Sequence, residues 1–193
     1  MPVAVSTTGI LRGKDPGTEP SFTFRNRAGR ALWGIVYVIL FRPSPRPMHR
    51  WRAALLSLFG ARLGRHVHVY PSARIWAPWN LETGSYVGIG DRAIIYNMAA
   101  IRLGDRCTVS QGAHLCCGSH DVDRDDFQLV AGPIDVEPHV WICAEAFVGM
   151  GVRIAEGAVV GARAVVTRDL TTPWTVYAGA PARPIRQRRR RTV

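Results

Sequence analysis

Aliphatic side chains recur every six residues through most of this chain. They stand at Leu63, Val69, Ile75 and Leu81, after a step of eight at Ile89 and Ile95, and after another at Leu103, Val109 and Leu115. The rhythm stops there. It resumes at Val136 and continues through Ile142, Val148, Ile154, Val160 and Val166. Four residues after each, the side chain is usually small, as at Ala73, Ala93, Ala99, Cys107, Ala113, Ala146, Ala158 and Ala164; Trp79 and Leu170 are the large exceptions. A period of six is neither the helical 3.6 nor the simple strand period of two. It fits a short strand followed by a tight corner. The aliphatic residue points inward from the strand, and the small one fits where the chain turns. Three such units make a triangular coil, and stacked coils turn each face into a parallel sheet. The fifteen positions predict an all-β fold, a parallel β-helix of about five triangular coils, roughly 24 Å long at about 4.8 Å per strand spacing. Spacing does not set its handedness.

The rest of the chain divides around this array. Residues 1–20 are polar and rich in Pro and Gly, and read as a flexible arm without a signal peptide. Residues 21–60 read as an N-terminal helical segment, residues 61–170 as the β-helix, and residues 171–193 as a C-terminal extension with a basic tail, RQRRRRTV. Within the helical segment ALWGIVYVILF (31–41) is apolar for only eleven residues, against about 20 for a membrane-crossing helix. HRWRAALLSLFG (49–60) carries Trp51, Leu55, Leu58 and Phe59 at helical spacing, with Arg46, Arg50 and Arg52 near its start. Two readings of these helices stand open. They cap the open end of the β-helix, hiding a sheet edge, or they rest on a membrane surface as a peripheral contact.

Composition bounds the partners. The net charge is +11, but only Lys14 among 25 basic residues is lysine. Near-exclusive arginine use, with abundant Ala, Gly and Pro, reflects a GC-rich coding sequence, so the charge is weak evidence of a partner. No aromatic-rich basic repeat or zinc-finger spacing points to nucleic acid. The tail reads as solvated charge or as an attractor of anions. Cys107, Cys116, Cys117 and Cys143 form no CxxC pair. No disulfide framework is expected, which favours a cytoplasmic location.

The break in the rhythm lies at LCCGSHD (115–121). The next aliphatic position would be 121, which is Asp, and the segment DVDRDDFQLVAGPID is too polar to line an interior. A protruding loop over 120–135 is expected, with His120 at its root. Loops on rigid scaffolds commonly carry chemistry. An imidazole there could take the proton of a hydroxyl near neutral pH. The plain alternative is a surface histidine.

Four stretches, RWRAALLSLFGARLG (50–64), VSQGAHLCCGSHD (109–121), VVGARAVVTRD (159–169) and YAGAPARPIR (177–186), resemble the hexapeptide-repeat acyltransferases. Among these the chain is most similar to the colanic-acid-biosynthesis acetyltransferases, over roughly residues 45–187. The resemblance implies a left-handed β-helix. It also implies an acetyl-CoA-dependent O-acetyltransferase acting on a sugar hydroxyl in exopolysaccharide biosynthesis. The hydroxyl would attack the thioester directly, with His120 as catalytic base, oriented by Asp121, Asp123 or a backbone carbonyl. Ala144, Ala162, Thr167, Arg168, Arg183 and Arg186 match positions that bind the CoA donor; Arg168 stands where the family commonly has lysine. Asn97 and Trp141 match the acceptor region. The resemblance further implies a homotrimer with sites between subunits. No metal is expected, and the N-terminal basic helices would fit a cytoplasmic enzyme that works at the inner face of the membrane.

Other readings need weighing. The same base chemistry would serve O-acetylation of an antibiotic or other small-molecule hydroxyl. Gamma-type carbonic anhydrases share the scaffold and bind zinc through three histidines, and His66, His68, His114, His120 and His139 lie in or beside the repeats. However, the six-residue separation of His114 and His120 points them in different directions. A purely structural β-helix would need neither the loop nor the basic extension. Cys116, Cys117 and Cys143 read as small wall-filling residues rather than nucleophiles.

Overall fold

The computed structural model describes residues 10–11 and 16–189. Its body is a three-sided prism of parallel strands. The first face stacks Arg62–Leu63, Leu81–Thr83, Ile101–Leu103, Ile134–Val136 and Arg153–Ile154. The second stacks His68–Val69, Gly88–Ile89, Thr108–Val109, Trp141–Ile142 and Val159–Val160, and the third Arg74–Ile75, Ile94–Tyr96, His114–Cys116, Phe147–Val148 and Val165–Val166. Each coil is tied to the next by backbone hydrogen bonds. On the second face, for instance, the N–H groups of Tyr70, Gly90, Ser110 and Cys143 donate to the carbonyls of Ile89, Val109, Ile142 and Val160 at 2.8–2.9 Å.

The six-residue rhythm is the inward row. Of its fifteen positions, all but Leu63, at the open end, expose 4% of their surface or less. Removing such apolar area from water is the main favourable contribution to folding.

One step of the rhythm falls elsewhere than expected. Leu63 pairs with Thr83, and Thr83 with Leu103. Thr83 therefore occupies the inward row of the second coil, while Leu81 pairs with Ile101 further back along the strand. The extra two residues belong to the corner before the strand, where Pro78–Asn80 makes a 3₁₀ turn. A threonine in an aliphatic row leaves its hydroxyl unanswered: Thr83 Oγ1 is buried without a hydrogen-bond partner. Trp79, an exception to the small-residue rule, lies in the same turn. It packs where the helices meet the prism, with its ring against Gly29 and its Cβ beside Gly60.

The prism is also longer than five coils. Leu170 bridges to Ile154 on the first face. Thr175–Ala178 adds to the second face, with Arg183–Gln187 antiparallel outside it. On the third, Val165 N–H donates to Gly179 O, and Ala182 N–H to Val165 O. Residues 170–182 thus build a partial sixth turn, which makes the extension part of the β-helix.

The tail's start is equally structural. At the edge between the first and second faces, His66, Tyr86, Arg106, His139 and Gly157 take a positive φ in successive coils. His66 stacks on Tyr86, and Arg106 covers the other side of Tyr86. Gly157 leaves room for the Trp174 indole, which any Cβ there would strike. Arg188 lies over that indole and donates to the carbonyls of His139 and Gly157 at 3.0 and 3.1 Å. The remaining tail residues 190–193 lie outside the described residues.

The N-terminal helices close the opposite end. Helix α1 (Phe24–Val36) starts at Thr23, whose hydroxyl accepts from Asn26 N–H, and runs into a π-helical turn at Tyr37–Phe41. Its inward stripe is aromatic. Trp33 packs against Phe41 and Phe59, and its indole N–H donates to Ile75 O at 2.7 Å. Arg30 stacks over Phe22 and Trp76. Helix α2 (His49–Leu58) buries Arg52 completely. Its guanidinium donates to the carbonyls of Val69, Pro45 and Arg46 and to Ser44 Oγ at 2.6–2.8 Å. The fork geometry of arginine suits this web of acceptors. Arg52 is therefore a bolt between helix and first coil, removed from any external partner. Part of the arm is fixed as well: Ile10 is buried and bridges to Phe22. Residues 1–9 and 12–15 lie outside the described residues.

Thr83→Val should stabilise the protein by about 1 kcal/mol, because it removes an orphaned hydroxyl and keeps the shape. Chemical denaturation checks this. A loss of stability would mean that Thr83 has a partner or a role that the stacking does not reveal.

Candidate active site

Chain length is not added evenly to the three edges of the prism. The edge from the second face to the third keeps four-residue corners throughout. On the edge from the third face to the first, the inward row takes eight residues rather than six from Ile75 to Thr83 and from Ile95 to Leu103, and between Cys116 and Ile134 the chain throws out a hairpin. Gly118–His120 pairs antiparallel with Leu129–Ala131. The chain thus leaves the wall at Cys117 and rejoins it at Ile134, slightly earlier at both ends than the polar run suggests. A methyl on Gly118 would press into Met98, so the exit lies close against the coil below.

His120 ends the outgoing strand opposite Leu129 and is exposed. Its Nδ1 lies 2.6 Å from the Phe127 carbonyl oxygen. A carbonyl only accepts, so Nδ1 carries a proton, and in the neutral ring the lone pair is then on Nε2. Of the three candidate orienting groups, the structure uses a backbone carbonyl. Phe127 reaches this place in the left-handed region, at φ 44°. The loop's acidic residues shape the turn instead. Asp121 Oδ1 accepts from Asp123 N–H, and Asp126 accepts from Gln128 N–H and pairs with Arg124, which holds its carboxyl below the usual carboxylate range. Gln128 is buried and donates to the carbonyls of Leu129 and Leu11, which fastens hairpin to arm. No side-chain motif marks a backbone carbonyl that accepts from a histidine, so Phe127 could not be found from sequence.

Two coils further on, the same edge carries Thr167 and Arg168. They line a cleft of about 240 Å³ with Asp169, Thr172, Tyr177 and Arg183. His120 is not among the residues that line this cleft; its hairpin leaves the wall two coils earlier on the same edge. Arg186 is exposed on the outermost strand and donates to Gln187 O. Ala144 and Ala162 stack at the other edge, between the second and third faces, where Arg163 N–H donates to Ala144 O. The donor-binding candidates are thus split within one chain: Thr167, Arg168 and Arg183 meet on one edge, and the two alanines on another.

The acceptor candidates fare differently. Asn97 sits on the hairpin's edge one coil earlier, but is fully buried. Its Oδ1 accepts from Ala77 N–H at 3.0 Å and its Nδ2 donates to Ala77 O at 2.7 Å. It bridges two coils and has no surface to offer a sugar in the single chain. Trp141 projects from the second face, 47% exposed, with its indole N–H donating to Ser110 Oγ. It is on a different side of the prism from His120.

With the geometry established, comparison with known proteins can be read. The chain is 41% identical over 157 residues to the provisionally named colanic acid biosynthesis acetyltransferase WcaF of Escherichia coli (strain K12), covering 81% of this chain and 86% of that one. The chain belongs to the colanic acid biosynthesis acetyltransferase family. It is an acetyltransferase. No protein-family model matches it. Among solved structures it resembles a maltose O-acetyltransferase from Clostridium difficile 630, with a TM-score of 0.78 at 20% identity over 87% of this chain and 90% of the other. It equally resembles a galactoside acetyltransferase in complex with coenzyme A, with a TM-score of 0.78 at 24% identity over 87% and 84%. The fold is the left-handed β-helix of these enzymes.

Among the described residues, no three His, Cys, Asp or Glu side chains converge to hold a metal ion. The histidines are dispersed: His66 stacks on Tyr86, His68 on His49, and His114 packs edge-on to Phe147. The zinc reading has no donor set here. Three of the four cysteines are poor nucleophiles for a physical reason. Burial pushes the Cys107 thiol up to about 11 and the Cys117 thiol up to about 12, and raises Cys143. A thiol reacts as thiolate, and burial withholds that form at neutral pH.

Iodoacetamide at pH 7.5 should therefore leave Cys107 and Cys117 unmodified in the native protein while alkylating them in denaturant. Peptide mass mapping reads both. The double variant Cys116→Ser, Cys143→Ser should keep acetyl transfer within about twofold; its loss would bring a thiol back into the mechanism.

Proposed function

We propose that this acetyltransferase moves the acetyl group of acetyl-CoA to a hydroxyl of a sugar acceptor in exopolysaccharide biosynthesis, with His120 as general base. The observation that carries the reading is the His120–Phe127 pair. A carbonyl holds Nδ1–H, the opposite nitrogen stays free, and both ride on a hairpin at one edge of a rigid prism. A hydroxyl is a weak nucleophile until its proton has somewhere to go. Nε2 accepts that proton as the oxygen attacks the thioester carbonyl. A C–O bond forms, the C–S bond breaks, and the imidazolium returns the proton to the departing thiolate. No acyl-enzyme is needed. The sugar class and the pathway are supported by the names of two relatives, a colanic acid biosynthesis acetyltransferase and a galactoside O-acetyltransferase.

The donor needs cationic groups for its phosphates and a narrow path for its pantetheine arm. Arg168 and Arg183 at the Thr167 cleft supply the first. Arginine recognises phosphate as well as lysine does, so Arg168 in a lysine position keeps the role. Ala144 and Ala162, small residues at an open corner, supply the second, but on the other edge. A second copy laid against this one would bring its alanine edge and its Trp141 towards the first copy's hairpin. That split supports a homo-oligomer, in this family a trimer, with the site between subunits.

His120→Ala should lower acetyl transfer by about 10²–10⁴-fold, while CoA affinity, measured by titration calorimetry, stays within error. Arg183→Ala should do the reverse, weakening CoA binding with a smaller effect at saturating donor. The assay is release of the CoA thiol with nucleotide- and lipid-linked sugars as acceptors. Undiminished turnover by His120→Ala would remove the base assignment.

A further inference from the structure

The N-terminal helices have a second face that the cap does not use. Helix α1 buries Asn26, Trp33 and, beyond it, Phe41. The opposite side is apolar too. Phe24, Leu32, Ile35, Val38, Ile39 and Leu40 expose between 42% and 82% of their surface. On a helix, residues three, four and seven apart share a face, so Phe24, Leu32, Ile35 and Ile39 form one stripe. Trp51 joins it from helix α2. Its indole N–H is fixed to Leu40 O at 3.1 Å, yet 40% of the residue stays exposed. Scattered exposed apolar residues are ordinary on a soluble protein, but a contiguous patch marks an interaction site.

Charge says what covers it. Residues 20–81 contain ten arginines and no aspartate or glutamate. Arg52 is buried, and Arg46 and Arg62 reach across to Asp91 and Glu82. Arg25 and Arg27 at one end of the stripe, and Arg42 and Arg50 at the other, are exposed and have no carboxylate partner among the described residues. An apolar stripe bracketed by unpaired cations matches an anionic bilayer, whose headgroups attract the charges and whose acyl boundary takes the side chains. It does not match a second copy of the same strongly basic surface, where like charges would meet. No helix among the described residues is long and apolar enough to cross a membrane, so the helix would lie flat on the surface.

We propose that the outer face of α1, with Trp51, is a peripheral docking surface for an anionic lipid bilayer, and that it holds the prism by its helical cap with the hairpin edge free. The proposal does not depend on the acetyl-transfer chemistry, because vesicle binding is read without substrate.

The test is co-sedimentation of the full chain with vesicles of phosphatidylcholine alone and with about one third phosphatidylglycerol, at low and high salt. Binding is expected only to the anionic vesicles, weakening at least tenfold at high salt. Two surface variants separate the components. Arg25→Gln, Arg27→Gln, Arg42→Gln, Arg50→Gln should lose at least tenfold in partitioning, since each basic residue near such a surface contributes. Ile35→Ser, Ile39→Ser should lose binding with all arginines intact. Both should keep the parent melting temperature and the activity on a soluble acceptor. Absence of binding to anionic vesicles would overturn the proposal, as would binding indifferent to both variants. So would a changed oligomeric state of Ile35→Ser, Ile39→Ser in light scattering without vesicles, which would assign the face to contact between copies.

Discussion

Everything in this molecule depends on coils that stack in register. Each inward aliphatic residue sits on the one below, and each coil's N–H groups meet the next coil's carbonyls. The two requirements reinforce one another: a residue inserted inside a strand would turn its side chains to the other face and break the ladder. Extra length is therefore tolerated only at corners. The molecule places nearly all of it on one edge, in the eight-residue steps from Ile75 to Thr83 and from Ile95 to Leu103 and in the hairpin after Cys117. The rigid repeat is what allows a histidine on that hairpin to be aimed, since the wall on either side cannot follow its movements.

A stack of this kind has two open ends, each a sheet edge with unpaired backbone groups. The ends are closed by different means. At the N-terminal end, helices bring Trp33 onto the Ile75 carbonyl and Arg52 onto the Val69 carbonyl, so side chains answer backbone groups of the first coil. At the C-terminal end, the chain continues as a partial sixth turn and folds back as an antiparallel strand, with Arg188 reaching the carbonyls of His139 and Gly157. Two arginines that look like surface charge in the sequence are thus parts of the closures. Arg25, Arg27, Arg42 and Arg50 around α1 are exposed and have no carboxylate partner among the described residues.

The inward row was legible in the sequence because burial acts on side-chain type at a fixed period. The hairpin was legible because five aspartates between 121 and 135 cannot line a core. Thr83 escaped because an eight-residue step can be placed on either side of Leu81, and only the turn chemistry of Pro78–Asn80 decides between them. Leu170 looked like an exception to a corner rule and is instead the first residue of another turn. At the site, His120 stood out by its position at the break, whereas its partner did not, since the group that orients it is the backbone of Phe127. Asn97 carried the right chemistry for a sugar, but its neighbours in space, Ala77 on the preceding coil, take up its amide. Spacing along a chain cannot reveal whether a polar side chain turns into the wall or out of it.

The central claim is that His120 Nε2 faces the thioester of a donor held by the Thr167–Arg168–Arg183 edge and completed by a neighbouring copy. A crystal structure with CoA tests it most directly. The account predicts the CoA sulfur within about 4 Å of Nε2, the phosphates at Arg168 or Arg183, and the alanine edge of a second copy along the pantetheine arm. CoA bound away from this edge, or with its sulfur on the far side of the prism from the hairpin, would contradict it.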